Sequence, residues 1–109
     1  MLQNGRAAAF MMDDILLAGE KSKAAEPDKW EIVGTAPIHE IYGCMLRKGD
    51  TGFKQAVDSA IKATYSSGEI NKMYEKWFQQ PIPPKNINLN FPMSEQLKAL
   101  ISAPHDRDQ

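Results

Sequence analysis

Gly5-Arg6-Ala7-Ala8-Ala9-Phe10-Met11-Met12-Asp13-Asp14 is the stretch on which the fold of this chain turns. After Arg6 no charge appears until Asp13. A continuous apolar run of this kind, opened by Asn4-Gly5 and closed by two acids, reads as a strand buried on both faces, with Asp13 at its carboxyl end. Ligands of open α/β sheets bind at that end, so a lone carboxylate there is suited to hold an ammonium group. The same residues admit a second use, in which Asp13 or Asp14 N-caps the helix begun by Ile15-Leu16-Leu17-Ala18. Capping is the commoner role of an acid so placed.

Alternating elements extend outward from this run. An amphipathic helix is predicted over residues 14–25, with its apolar residues early and Glu20, Lys21 and Lys23 late. Pro27 fixes its own φ and biases Glu26 away from helix, so Glu26-Pro27-Asp28-Lys29 is predicted as a turn. Trp30-Glu31-Ile32-Val33-Gly34 reads as a short β-type run, and Ala36-Pro37-Ile38-His39-Glu40 as an extended crossing. Ile41-Tyr42-Gly43-Cys44-Met45-Leu46 is a second apolar strand, followed by a turn at Arg47-Lys48-Gly49-Asp50 with Gly49 available for positive φ.

Two helices then follow from periodicity. Phe53, Ala56, Val57, Ala60, Ile61 and Ala63-Thr64-Tyr65 recur at helical spacing and paint one face over residues 53–65. Gly68 is expected as the left-handed stop, and a second helix over residues 69–79 carries Ile70, Met73, Tyr74, Trp77 and Phe78 on one face. Gln80-Pro81-Ile82-Pro83-Pro84 is expected as an extended connector, Leu89, Phe91 and Met93 as an irregular arm, Ser94 as the cap of a last short helix through Ile101, and residues 103–109 as a frayed tail.

Composition bounds the function classes. The chain has 109 residues, 42% hydrophobic and 25% charged, with a formal net charge of −1, which suits a globular unit. Its 13 Lys and Arg nearly balance 14 Asp and Glu and are scattered, so no nucleic-acid footprint and no nucleic-acid partner is expected. One cysteine excludes an internal disulfide and a multi-cysteine zinc site. No apolar run approaches the ~18 residues of a membrane span, and Met1-Leu2-Gln3-Asn4-Gly5-Arg6 lacks the apolar core of a signal peptide.

The ordered set of motifs resembles a family. Gly5-Arg6-Ala7-Ala8-Ala9-Phe10-Met11-Met12-Asp13-Asp14, then Tyr42-Gly43-Cys44-Met45-Leu46-Arg47-Lys48-Gly49, a helix ending at Ser67-Gly68-Glu69, a helix closing on Lys76-Trp77-Phe78, and Pro81-Ile82-Pro83-Pro84-Lys85-Asn86 are similar to the carboxyl-terminal portion of periplasmic solute-binding proteins that serve ATP-driven (ABC) amino-acid importers, most of all those for glutamate and aspartate. The resemblance implies an α/β fold: part of a two-lobed, type II periplasmic-binding-protein architecture whose ligand sits between the lobes. It implies that residues 1–38 end the second lobe, 39–42 form a hinge crossing, and 43–109 return to the first lobe with terminal helices and tail. It further implies a chain that is part of a longer receptor, with Met1 an internal methionine exposed by truncation.

The resemblance implies ligand-binding without catalysis, with no cofactor and no metal. The partners implied are an acidic amino acid, glutamate or aspartate, and a membrane permease, in the periplasm. In amino-acid binders of this fold the acid eight residues beyond the glycine of the Gly-Arg pair accepts from the ligand's α-ammonium, and Gly5 places that acid at Asp13. An ionised carboxylate in a closed cleft makes charge-assisted bonds to an ammonium. Asp14 is then left as the helix cap. Met12 is expected buried, Cys44 as a small buried hydrophobe in its strand, and His39 and His105 as hinge or surface residues without metal-ligand spacing. Arg47 and Lys48 read as a solvated corner. An enzyme on the same fold, a cyclohexadienyl dehydratase or a lytic transglycosylase domain, is the alternative, and it would need a second titratable group facing Asp13. Because one wall of a two-walled cleft is present, the isolated chain is expected to be inactive in binding and to self-associate, or to be ordered only in a larger assembly.

Overall fold

Among the described residues, 1–35 and 42–106 of a computed structural model, the regular structure consists of four α-helices and two short 3-10 turns. The helices are α1 (Asp14–Lys23), α2 (Thr51–Ser66), α3 (Glu69–Phe78) and α4 (Glu95–Ser102), and the 3-10 turns are Leu2–Asn4 and Pro27–Lys29.

Each helix boundary has a local cause. α1 stops at Lys23, two residues short of the expected end, because Ala24 is already extended at φ −63°, ψ 150°, and Glu26 precedes a proline. Lys21 and Lys23 in its last turn complement the helix dipole. α2 starts earlier than its apolar face suggests, because Asp50 caps it: the Phe53 N–H donates to Asp50 Oδ1 at 3.1 Å. At its other end Ser66 Oγ donates to the Lys62 carbonyl at 2.8 Å, and Gly68, at φ 78°, takes the left-handed turn into α3. Ser94 caps α4 as expected, its Oγ accepting from Leu97 N–H at 3.2 Å.

α2 packs against both α3 and α4, and α1 contacts the Pro27–Lys29 turn. After α3 the chain folds back on itself. Phe91 N–H donates to the Phe78 carbonyl at 2.9 Å, Asn88 Nδ2 to the Gln79 carbonyl at 2.9 Å, and Ile82 pairs with Ile87 in one antiparallel bridge. The connector expected to be extended over residues 80–84 therefore enters a tight reversal at 83–86, with Asn86 at φ 53° supplying a left-handed step that asparagine tolerates.

The strands are the main correction. Residues 7–12 and 42–46 form no strand, nor do residues 30–34, and the α/β expectation has no sheet behind it among the described residues. A strand exists only by exchanging backbone hydrogen bonds with a neighbour, and neither apolar run meets one among the described residues. Phe10, Met11 and Met12 are exposed, and Met45 is 97% exposed. Cys44, expected in a buried strand, is exposed too, as is Met12 against its expected burial. The crossing expected at Ala36-Pro37-Ile38-His39-Glu40, and Ile41 with it, lies outside the described residues.

Little of the chain is covered. Among the described residues only Ala18 and Tyr74 are buried apolar groups. The accessible surface of 9338 Å² is about half again the ~6,100 Å² of a compact folded monomer of this mass. The radius of gyration, 17.3 Å, likewise exceeds the ~13 Å of a compact domain of this length. Phe53, Ile61, Met73 and Trp77 remain exposed on the helices, so the apolar faces that periodicity picks out are formed but mostly unburied.

Candidate functional site

Asp13 stands where the exposed apolar run meets α1. It is the N-cap residue of that helix, with φ −52° and ψ 138°, and its carbonyl accepts the first helical bond, from Leu17 N–H at 2.9 Å. Its side chain makes no capping bond. Asp14, expected as the cap, is instead the first helical residue, and its Oδ1 accepts from Ile15 N–H at 2.7 Å. A carboxylate in the first turn favours the helix dipole.

The half-buried Asp13 carboxylate reaches across the chain: Tyr42, 29 residues away and exposed, donates its hydroxyl to Asp13 Oδ2. The pair joins the head of α1 to the start of the second apolar run. A carboxylate offers about four lone-pair sites, so the Asp13 side chain keeps acceptor capacity after taking this one bond, which suits a group rich in N–H donors.

The other residues singled out from sequence do not converge on this point. Cys44 is exposed, and His105 Nδ1 lies 3.2 Å from the Ala103 carbonyl oxygen. His39 falls outside the described residues. Among the described residues no three His, Cys, Asp or Glu side chains are grouped to hold a metal ion. Sequence reasoning missed Tyr42 as a site residue. It has no spacing relationship to Asp13 that a local pattern could detect, and only the return of the chain to α1 brings them together.

Two further features lie elsewhere on the helices. A cavity of about 330 Å³ lies between the second half of α1 and the reversal after α3, lined by Gly19, Ser22, Ile82, Pro84, Ile87 and Leu89 among others and almost wholly apolar. It opens six or more residues along α1 from Asp13, roughly 9 Å or more along the helix axis, so it is separate from the carboxylate. Tyr74, on α3, has its phenol pushed above the ordinary tyrosine value by burial and, secondarily, by the Asp14 charge.

Comparison with known proteins supplies the context. The profile of bacterial extracellular solute-binding proteins, family 3, matches residues 3–80. The chain is 64% identical over 107 residues to the L-glutamate/L-aspartate-binding protein of Pseudomonas aeruginosa, covering 98% of this chain and 35% of that protein. It is 57% identical over 106 residues to the glutamate/aspartate import solute-binding protein of Salmonella typhimurium, and 56% identical over 106 residues to that of Escherichia coli, covering in each case 97% of this chain and 35% of the relative. The chain thus spans about a third of the length of the curated relatives it matches.

Proposed function

The chain belongs to the bacterial extracellular solute-binding proteins, family 3, a family of two-lobed periplasmic-binding fold, and from that membership we propose that it serves as part of a receptor that binds glutamate or aspartate and delivers it to an ABC importer in the membrane. One observation carries this reading: nearly the whole chain aligns at 56–64% identity with proteins named for glutamate and aspartate. The family's extracellular character supports a site of action in the periplasm. The relatives' names describe binding and import, and the proposed work is binding and release, with no catalytic step.

Within the two-lobed receptor, residues 1–38 close the second lobe, 39–42 cross the hinge, and 43–109 return to the first lobe. Asp13 holds the ligand's α-ammonium. This role is supported by the Asp13 side chain, which makes no capping hydrogen bond and turns to Tyr42 instead. The apolar runs at 7–12 and 42–46 gain strand partners from the rest of the receptor, which also covers the exposed faces of α2 and α3. By itself the chain has one carboxylate to offer a ligand and little area to bury it, too little to offset the cost of immobilisation. In isolation its bare surface is met by further copies of itself.

Calorimetric titration of the complete two-lobed receptor tests the proposal. Glutamate and aspartate should bind, and glutarate, which keeps both carboxylates but lacks the ammonium, should bind at least roughly tenfold more weakly, the scale of one charged hydrogen bond. No binding of either amino acid would overturn the function. Equal binding of glutarate and glutamate would remove Asp13 from the site.

A further inference from the structure

We infer that Tyr42 is the positioning residue of the ammonium site: its hydroxyl holds the Asp13 carboxylate in the orientation that presents the remaining lone pairs to the ligand. The inference rests on the proposed role of Asp13 and adds a second residue to that site.

The backbone of Asp13 is committed to α1 through its carbonyl, but the helix gives its side chain no bond, so nothing on its own element sets the carboxylate's direction. The Tyr42 hydroxyl does so from across the chain, by donating to Oδ2. One donated bond occupies a single lone-pair site of about four, leaving the carboxylate able to accept from an ammonium while it stays anchored. Fixing the acid before the ligand arrives removes part of the ordering cost of binding. Half-burial of Asp13 and exposure of Tyr42 leave the pair reachable from solvent.

A tyrosine is suited to this place where phenylalanine is not. The ring supplies the reach, and the hydroxyl makes the hydrogen bond to the carboxylate. Tyr42→Phe therefore removes the proposed function and keeps the packing volume.

A double-mutant cycle in the complete receptor is the test, read by calorimetric titration with L-glutamate, with the melting temperature as the check on folding. Tyr42→Phe should leave the melting temperature unchanged and weaken glutamate binding roughly five- to tenfold, within the range of an ordinary hydrogen bond because the hydroxyl acts on the ligand through Asp13. In an Asp13→Asn background the same change should cost less than about twofold, because residues that act through one another are not additive. An equal loss in both backgrounds, or no loss in the parent, would overturn the positioning role. If Asp13→Asn alone leaves affinity intact, the ammonium-site proposal itself fails, and this inference fails with it.

Discussion

The ring of Phe78 leans over that of Tyr74, one turn earlier on α3, with centroids 4.5 Å apart and planes inclined by 46°. An i, i+4 pair of this kind is the tilted contact that aromatic quadrupoles favour. It helps leave Tyr74 only 8% exposed, the sole buried residue of α3.

The phenol of Tyr74 should ionise late. Burial, and then the nearby Asp14 charge, raise it above the ordinary value of 10.0. A group whose folded value is raised contributes stability that is fully present below the unfolded value and is lost as pH climbs through the folded one. Ultraviolet titration of the receptor should show a late phenolate phase that disappears in Tyr74→Phe. Identical titration curves for the two proteins would contradict the burial.

Lys54 should pin the end of the described chain to α2. Its Nζ lies 2.6 Å from Asp106 and 2.7 Å from Asp58, and the hydrogen bonds to Asp106 and then to Asp58 raise the ammonium above the ordinary lysine value of 10.5. The sign follows as for Tyr74: the contact is intact below that value and is lost only in stronger alkali. Lys54→Gln should speed amide exchange and proteolysis around residues 103–106 with little effect on melting, since exposed ion pairs contribute little. Unchanged exchange in Lys54→Gln would show that the tail is held by other contacts.

Helices were legible in the sequence to within two residues at most ends, because their causes are local. Asp50, Gly68 and Ser94 act on backbone groups within a few residues of themselves. The tail expected to fray is instead tied at Asp106, through a lysine about fifty residues earlier that no local pattern connects to it. Strands were not legible in the same way. An apolar run such as 7–12 states only that it can be buried, and its hydrogen-bond partners decide whether it becomes a strand. At the candidate site, Asp13 could be placed at the head of α1 from sequence, whereas its contact with Tyr42 depends on the path of the chain between them.

The chain alone should associate with itself. Its surface exceeds that of a compact monomer by about 3,000 Å², more than the roughly 1,600 Å² that a standard interface buries in total. Light scattering on the purified 109-residue chain should report oligomers or polydispersity. A monodisperse monomer that unfolds cooperatively would mean that the uncovered helix faces need no partner.

The central claim is that Asp13 carries the ligand's ammonium, and calorimetric titration of the complete receptor carrying Asp13→Asn tests it most directly. The substitution keeps the side chain's shape and removes its charge. Glutamate and aspartate should bind more weakly by about 1.5–3 kcal/mol, roughly 10- to 150-fold, with the melting temperature of the unliganded protein retained. A dissociation constant equal to that of the unsubstituted receptor would contradict the account and leave Asp13 as no more than the N-cap residue of α1.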